Sequence, residues 1–151
     1  MKYERVHDIW HYYDGVRIGI ADLEGTPHYF VSQFDMVAND YSDYFKLYPV
    51  EQDFMERAVR MSAIYRAWER KYHEGHVELA SHPGVGGVDP EYDELKSWLD
   101  AQIVQLQATA GLFTADFRTL PNQDALPTGM LRELEVRWSP SSAQKSEMGS
   151  D

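Results

Sequence analysis

The sequence predicts an α+β fold in which an antiparallel sheet of about five to six strands carries two helices packed on one face. Three observations lead to this prediction. Turn residues divide the first third of the chain into short stretches of alternating apolar residues, the middle has two stretches with apolar residues at helical spacing, and two alternating stretches follow. The resulting order, β-β-β-β-α-α-β-β, keeps strands and helices in separate groups, which is typical of α+β domains.

The Asp14-Gly15 pair predicts a tight hairpin near the N-terminus, because both central residues of a type I′ turn need a positive φ angle. Residues 6–13 before the pair fit a short helix about as well as a strand, and the turn favours the strand. Residues 16–22 after the pair place Val16, Ile18 and Ile20 on one face at a period of two. A second turn leads to a predicted strand over 28–34.

Residues 35–44 show neither a helical nor a strand period. They are rich in Asn, Asp and Ser, whose side chains favour turns by bonding to their own backbone. We therefore expect a loop at 35–44, followed by a short strand over 45–50 in which Pro49 marks an end or an edge position.

Two helices are predicted next. The first spans 51–74, and Gly75 is placed to end it. Its apolar residues recur every three or four positions and are Phe54, Ala58, Met61, Tyr65, Trp68 and Tyr72. The second begins with Asp89 as N-cap and Pro90 in the first turn. Its apolar face is formed by Tyr92, Leu95, Trp98, Leu99, Ile103 and Leu106.

Two strands, over 112–120 and 130–138, complete the predicted domain. Residues 1–138 are expected to form a single domain, because a chain of 151 residues is close to the commonest domain size. Residues 139–151 lack an apolar pattern and predict a disordered tail. The tryptophans fall one in each region and are expected to meet in one core, namely Trp10, Trp68, Trp98 and Trp138.

The composition excludes several classes of protein. The chain has no cysteine, so disulfides and thiolate metal sites are excluded. Its formal net charge of −11 argues against direct binding of nucleic acid, which depends on clustered lysine and arginine. It contains no apolar run long enough for a membrane span and no signal-like N-terminus, so we expect a cytoplasmic protein with no membrane contact.

No strong catalytic motif and no cofactor motif is present. A metal site formed by His73, His76 and His82 is a weak alternative to ordinary surface histidines, because their spacing permits convergence without requiring it. Catalysis by Asp14, Asp22 and His28, with Arg17 nearby, is a second weak alternative. A carboxylate beside an imidazole is the minimum for a general base, but it is also an ordinary cross-strand pair.

The most suggestive surface feature is an acidic stretch rich in tyrosine that contains Asp40, Tyr41, Asp43 and Tyr44. Residues 35–53 contain five acidic residues and one basic residue. Tyrosine is enriched at protein interfaces, and the acids would steer a basic partner toward the surface. The alternative is a solvated loop whose tyrosines cover the edge of the core.

Three short segments resemble small bacterial proteins of undescribed activity: Tyr13-Asp14-Gly15, Gly19 to Asp22, and Gly25 to His28. The similarity extends through Trp68 and the His82-Pro83 loop. The resemblance implies a bacterial cytoplasmic origin and assigns no functional residue.

The leading functional hypothesis is a non-enzymatic binding or regulatory domain that engages a basic protein through Asp40, Tyr41, Asp43 and Tyr44. An immunity-like or antitoxin-like inhibitor is one specific version. The alternative hypothesis is a small hydrolase that uses a His/Asp pair in the N-terminal hairpins.

Overall fold

The structure is a computed structural model that describes residues 1–120 and 133–141. It contains six antiparallel strands and two long helices, which confirms the α+β class. The strands are β1 (Glu4–Tyr12), β2 (Val16–Leu23), β3 (Thr26–Asp35), β4 (Asp40–Pro49), β5 (Phe113–Thr119) and β6 (Leu134–Pro140). The helices are α1 (Gln52–His73) and α2 (Pro90–Ile103), with a single 3-10 turn at Leu79–Ser81 between them.

The sheet closes into a barrel with the strand order β1-β2-β3-β4-β5-β6, whereas the sequence predicted an antiparallel sheet with two helices on one face and did not predict closure. Closure depends on two pairings between strands far apart in sequence. Phe45 of β4 lies opposite Phe113 of β5, and Glu4 of β1 lies opposite Val136 of β6. Closure buries one apolar face of each strand in the barrel interior, and β2 and β3 carry a second apolar face that the helices cover.

The barrel interior is one of two hydrophobic clusters. Aromatic rings dominate this cluster. The centroid of the Trp138 ring lies 5.5 Å from that of Phe30, 5.6 Å from that of Phe45 and 5.9 Å from that of Phe117. The indole N–H of Trp138 donates to the backbone oxygen of Asp22 at 3.0 Å. The buried members of this cluster are Val16, Ala21, Leu23, Phe30, Phe45, Leu47, Phe113, Val136 and Trp138.

The second cluster lies outside the barrel, where the helices cover β1, β2 and β3. Its buried members are Ile20, Tyr29, Val50, Phe54, Ala58 and Leu99. The sequence placed Val16 and Ile20 on one face of their strand, and this was wrong because Val16 lies in the interior cluster and Ile20 in the outer one. Irregular pairing between His11 and Tyr12 occurs next to Val16.

The expectation that the four tryptophans meet in one core was also wrong. Trp138 lies inside the barrel, whereas Trp10 and Trp98 pack against the outer cluster. Trp68 lies away from both and stacks on Tyr72, with ring centroids 5.1 Å apart. The helical period correctly identified one side of α1, but a period does not reveal which of two cores that side meets.

The predicted loop at 35–44 was wrong in its second half. β3 continues to Asp35 and β4 begins at Asp40, so the two strands form a hairpin. Residues 36–39 form the turn, and Asn39 takes the positive φ of 54° that this residue tolerates better than most. Hydrogen bonds to a side chain stabilise the turn, since Oδ1 of Asp35 accepts hydrogen bonds from the backbone N–H groups of Val37 and Ala38.

The ends of both helices confirm the local signals in the sequence. The Asp89 side chain accepts the backbone N–H of Tyr92 at 3.0 Å, with Pro90 in the first turn of α2. Gly75 follows α1 with a φ of 78°, a conformation that glycine adopts without steric cost. Across the described residues, no helix is long and apolar enough to cross a membrane.

The end of the domain differs from the prediction by a few residues. The tail was expected from Ser139, but β6 continues to Pro140. The backbone N–H of Ser141, which is buried, donates to the oxygen of Leu112 at 2.9 Å. Residues 142–151 and the joining stretch 121–129 lie outside the described residues, as does the predicted strand start at 130–132.

β1 and β2 approach each other closely at Gly19, which lies opposite Ile9. A Cβ atom at this position would lie 2.3 Å from the backbone oxygen of Asp8 and 2.8 Å from Cζ of Phe30. The absence of a side chain lets Phe30 fill the barrel beneath the strand. It also keeps the backbone of residue 8 close against β2.

Candidate functional site

The turns of the β1–β2 and β3–β4 hairpins lie at the same end of the barrel, because successive strands run antiparallel. Ring contacts join the two hairpins, since the centroid of the Tyr41 ring lies 6.3 Å from that of Tyr13 and 5.7 Å from that of His11. We call this end the hairpin-end surface. It comprises the aromatic and apolar residues Tyr12, Tyr13, Phe34, Met36, Val37 and Tyr41 and the acidic residues Asp14, Asp35, Asp40 and Asp43.

The apolar side chains of the hairpin-end surface are unusually exposed. Met36 is 82% exposed and Val37 is 98% exposed, and Tyr12, Tyr13 and Phe34 are also exposed. Tyr41 is half-buried, packed edge-on against Phe34 at 5.5 Å. Contiguous exposed apolar side chains are typical of interaction sites.

The predicted binding residues divide into two exposed acids and two half-buried tyrosines. Asp40 and Asp43 are exposed, and Oδ1 of Asp40 accepts the backbone N–H of Tyr41 at 2.7 Å. Tyr41 and Tyr44 are half-buried, which leaves part of each side chain accessible. All four residues belong to β4 rather than to a loop.

Arg17 is the cation that lies beneath this surface. Its Nε donates to the backbone oxygen of Tyr13 at 2.8 Å and its Nη2 donates to that of Asp14 at 2.9 Å. Its guanidinium lies over the Tyr41 ring, 5.3 Å from the centroid. The four aspartates of the hairpin-end surface therefore outnumber the one arginine that supports it.

A second site lies where β1 faces α1. The β1–β2 pairing is irregular between Val6 and Asp8 and again between Ile9 and His11. Irregular strand pairing of this kind, as at a β-bulge, redirects side chains and is common beside functional sites. As a result Val6 and Ile9 both pack against the barrel interior, whereas Asp8 lies opposite Ile20 and faces the helix.

Asp8 is a carboxylate buried at the interface between the barrel and α1, with 3% exposure. Its Oδ2 accepts the indole N–H of Trp10 at 2.7 Å and the hydroxyl of Ser62 at 2.6 Å. Its Oδ1 accepts the backbone N–H of Ile9 at 3.1 Å and lies 3.6 Å from Nη2 of Arg66. Burial raises the pKa of the Asp8 carboxyl, and the bonds from Ser62 and Trp10 oppose that rise.

Two clefts open on either side of Arg66. The larger, of about 650 Å³, we call the aromatic cleft; its defining residues are Trp10, Ser62, Tyr65, Arg66, Glu69 and Tyr92. The smaller, of about 460 Å³, we call the β1–β6 cleft; His7, Asp8, Glu133 and Glu135 are among its lining residues. Both volumes lie in the range of small-molecule sites.

His7 and Asp22 form the one carboxylate–imidazole contact among the N-terminal strands. Nε2 of His7 lies 2.7 Å from Oδ1 of Asp22, and both side chains are largely buried. Nδ1 of His7 has no hydrogen-bond partner among the described residues. With Nε2–H donating to the carboxylate, Nδ1 is the nitrogen that could accept a proton.

The structure does not bring together the predicted group of Asp14, Asp22 and His28. Asp22 lies opposite Pro27 and His28 lies opposite Ala21. Directly opposed residues share a face, so Asp22 points outward and His28 points into the barrel with Ala21. Nδ1 of His28 instead lies 2.7 Å from the backbone oxygen of Thr26, and Asp14 occupies the hairpin turn with a φ of 51°.

The three histidines weighed as metal ligands also have separate surroundings. His73 packs on Tyr72, His76 lies 3.4 Å from Glu74, and Nδ1 of His82 accepts the backbone N–H of Gly84. Among residues 1–120 and 133–141, no group of three or more potential ligands could hold a metal ion. The His82 ring instead packs on Trp68 at 4.6 Å.

Sequence reasoning did not single out Asp8, Ser62 or Arg66. One local signal could have pointed to Asp8, namely a carboxylate directly before the apolar pair Ile9-Trp10. Ser62 and Arg66 give no such signal, because they follow Asp8 by more than fifty positions and contact it only through the tertiary fold.

Comparison with known proteins finds no matching protein-family model, no similar curated protein and no similar solved structure.

Proposed function

We propose that this protein is a non-enzymatic binding domain whose hairpin-end surface engages a basic protein. One observation carries the proposal: Met36, Val37, Phe34 and Tyr13 are exposed together at one end of the barrel, among aspartates. Apolar side chains supply contact area, and surrounding charges set the choice of partner and the rate of encounter. An immunity-like or antitoxin-like inhibitor that covers the cationic site of its target is one form that such a domain could take.

The first test removes charge without removing shape. Asp40→Asn/Asp43→Asn should slow association with the partner by roughly threefold to tenfold at low salt and flatten its salt dependence, because charges near an interface act mainly on the association rate. The partner would be captured with the full chain, identified by mass spectrometry and purified for surface plasmon resonance.

The matched control is Glu78→Gln/Glu94→Gln, which makes the same change in net charge at exposed positions outside the hairpin-end surface. The control should retain wild-type kinetics. The proposal is rejected if the two double variants associate equally fast with the captured protein at low salt, or if the captured protein is not basic.

A second candidate function is hydrolysis, which the contact between His7 and Asp22 favours. In this hypothesis Nδ1 of His7 removes a proton from water in the β1–β6 cleft, Asp22 orients the ring, and Arg66 stabilises negative charge on the substrate.

His7→Ala should lower kcat/KM for p-nitrophenyl acetate or p-nitrophenyl phosphate by about a hundredfold or more. Equal rates for His7→Ala and the exposed control His11→Ala would exclude this function.

A further inference from the structure

The aromatic cleft has a wall suited to a flat ring. Trp10 on β1, Tyr65 on α1 and Tyr92 at the start of α2 all line it. Two contacts hold Trp10 in place. Its indole N–H donates to Oδ2 of Asp8 at 2.7 Å, and its ring stacks on that of Phe54 with the centroids 6.4 Å apart. A ring fixed in this way offers a preorganised stacking surface, and stacking of a base on an aromatic side chain contributes about 1–3 kcal/mol.

Two polar side chains of α1 lie at the same cleft, three positions apart and therefore on one side of the helix. Arg66 has a single polar contact with a described residue, the 3.6 Å approach to Asp8, so most of its five N–H donors are available. Glu69 lies beside Tyr65, where it supplies carboxylate oxygens as acceptors. The cleft thus presents donors and acceptors next to each other at the edge of an aromatic wall.

The charges around the cleft disfavour a phosphorylated ligand. Asp8 and Glu69 together outnumber Arg66, and the chain as a whole has a formal net charge of −11. A phosphate group would therefore meet net negative charge, whereas a neutral molecule would not.

We propose that the aromatic cleft binds an uncharged planar heterocycle of the nucleobase or nucleoside class, with the ring against Trp10, an acceptor edge on Arg66 and an N–H donor on Glu69. The volume of about 650 Å³ accommodates such a molecule. Arginine and carboxylate side chains are established partners for the acceptor and donor edges of bases. The cleft shares Tyr12 with the hairpin-end surface, but the proposed ligand contacts at Trp10, Arg66 and Glu69 lie outside that surface, so either proposal can fail without the other.

The test is an NMR titration of the full-length protein with guanosine, adenosine and cytidine, and with their 5′-monophosphates. The indole N–H of Trp10 is the reporter inside the cleft, and that of Trp138 inside the barrel is the internal reference. We expect at least one nucleoside to shift the Trp10 signal at about 1 mM while the Trp138 signal stays in place. The matching 5′-monophosphate should bind more weakly.

Two variants on the same helix provide the control. Glu69→Gln should weaken binding of the preferred nucleoside by about tenfold, because it replaces one of the two acceptor oxygens with an NH2 donor and removes the charge that strengthens the hydrogen bond. Glu56→Gln, at an exposed position outside the cleft, should leave binding unchanged. The proposal is overturned if no nucleoside shifts the Trp10 signal, if a monophosphate binds as tightly as its nucleoside, or if Glu69→Gln has no effect.

Discussion

Trp138→Ala is expected to lower the free energy of unfolding by about 3–5 kcal/mol, the range for large aromatic residues in cores. Trp138 is 0% exposed and touches Phe30, Phe45 and Phe117 at the centre of the barrel. Truncation would leave a cavity bounded by three rings and remove the hydrogen bond to the backbone oxygen of Asp22. Urea unfolding followed by far-UV circular dichroism measures the loss.

Trp68→Ala is the matched comparison. Trp68 is half-buried and packs on Tyr72 and His82 at the edge of the molecule, so its truncation should cost clearly less than that of Trp138. Equal losses for the two variants would show that the barrel interior is not the dominant core.

Asp8→Ala should destabilise the protein by about 2–4 kcal/mol, because each buried donor that is left without its acceptor costs about 1–3 kcal/mol. The substitution takes the acceptor away from the Trp10 indole and the Ser62 hydroxyl, and it leaves Arg66 without its counterion. Ser62→Ala removes one donor and keeps the carboxylate, so it should cost less. Chemical denaturation at neutral pH distinguishes these outcomes, and a loss below 1 kcal/mol for Asp8→Ala would contradict the role assigned to the carboxylate.

The same carboxylate predicts a pH dependence. Burial raises the pKa of Asp8, so the native protein takes up a proton at a higher pH than the unfolded chain does. The contribution of Asp8 to stability should therefore fall as pH rises from the ordinary aspartate value of about 3.9 to the raised pKa, and should be constant above it. Asp8→Asn does not titrate. The stability of the wild type minus that of Asp8→Asn should decrease across this interval, and a difference that increases with pH would contradict the assignment.

Signals confined to a few neighbouring residues predicted the elements well. The turn at Asp14-Gly15 and the cap at Asp89 depend on local hydrogen bonds and local φ angles, and both lie where the sequence placed them. The period of α1 predicted its apolar side for the same reason. Barrel closure could not be read in this way, because it depends on pairing such as that of Phe45 with Phe113 across 68 positions.

The candidate sites were predictable to different degrees. The acidic and aromatic character of the β3–β4 hairpin follows from a contiguous stretch that includes Asp40 and Tyr41, and the structure adds the exposed Met36 and Val37. Asp22 lies beside the imidazole of His7 and not beside that of His28, with which the sequence prediction paired it. Which histidine it meets depends on the irregular pairing of β1, for which the sequence carries no local signal.

The two hydrophobic clusters share one wall. Ala21 of β2 and Phe30 of β3 belong to the barrel interior, while their neighbours Ile20 and Tyr29 belong to the cluster beneath the helices. Loss of either cluster would leave an apolar face of these same two strands in water. We therefore expect neither the helical pair nor the barrel to fold alone, and we expect the two cores to melt together in one cooperative transition.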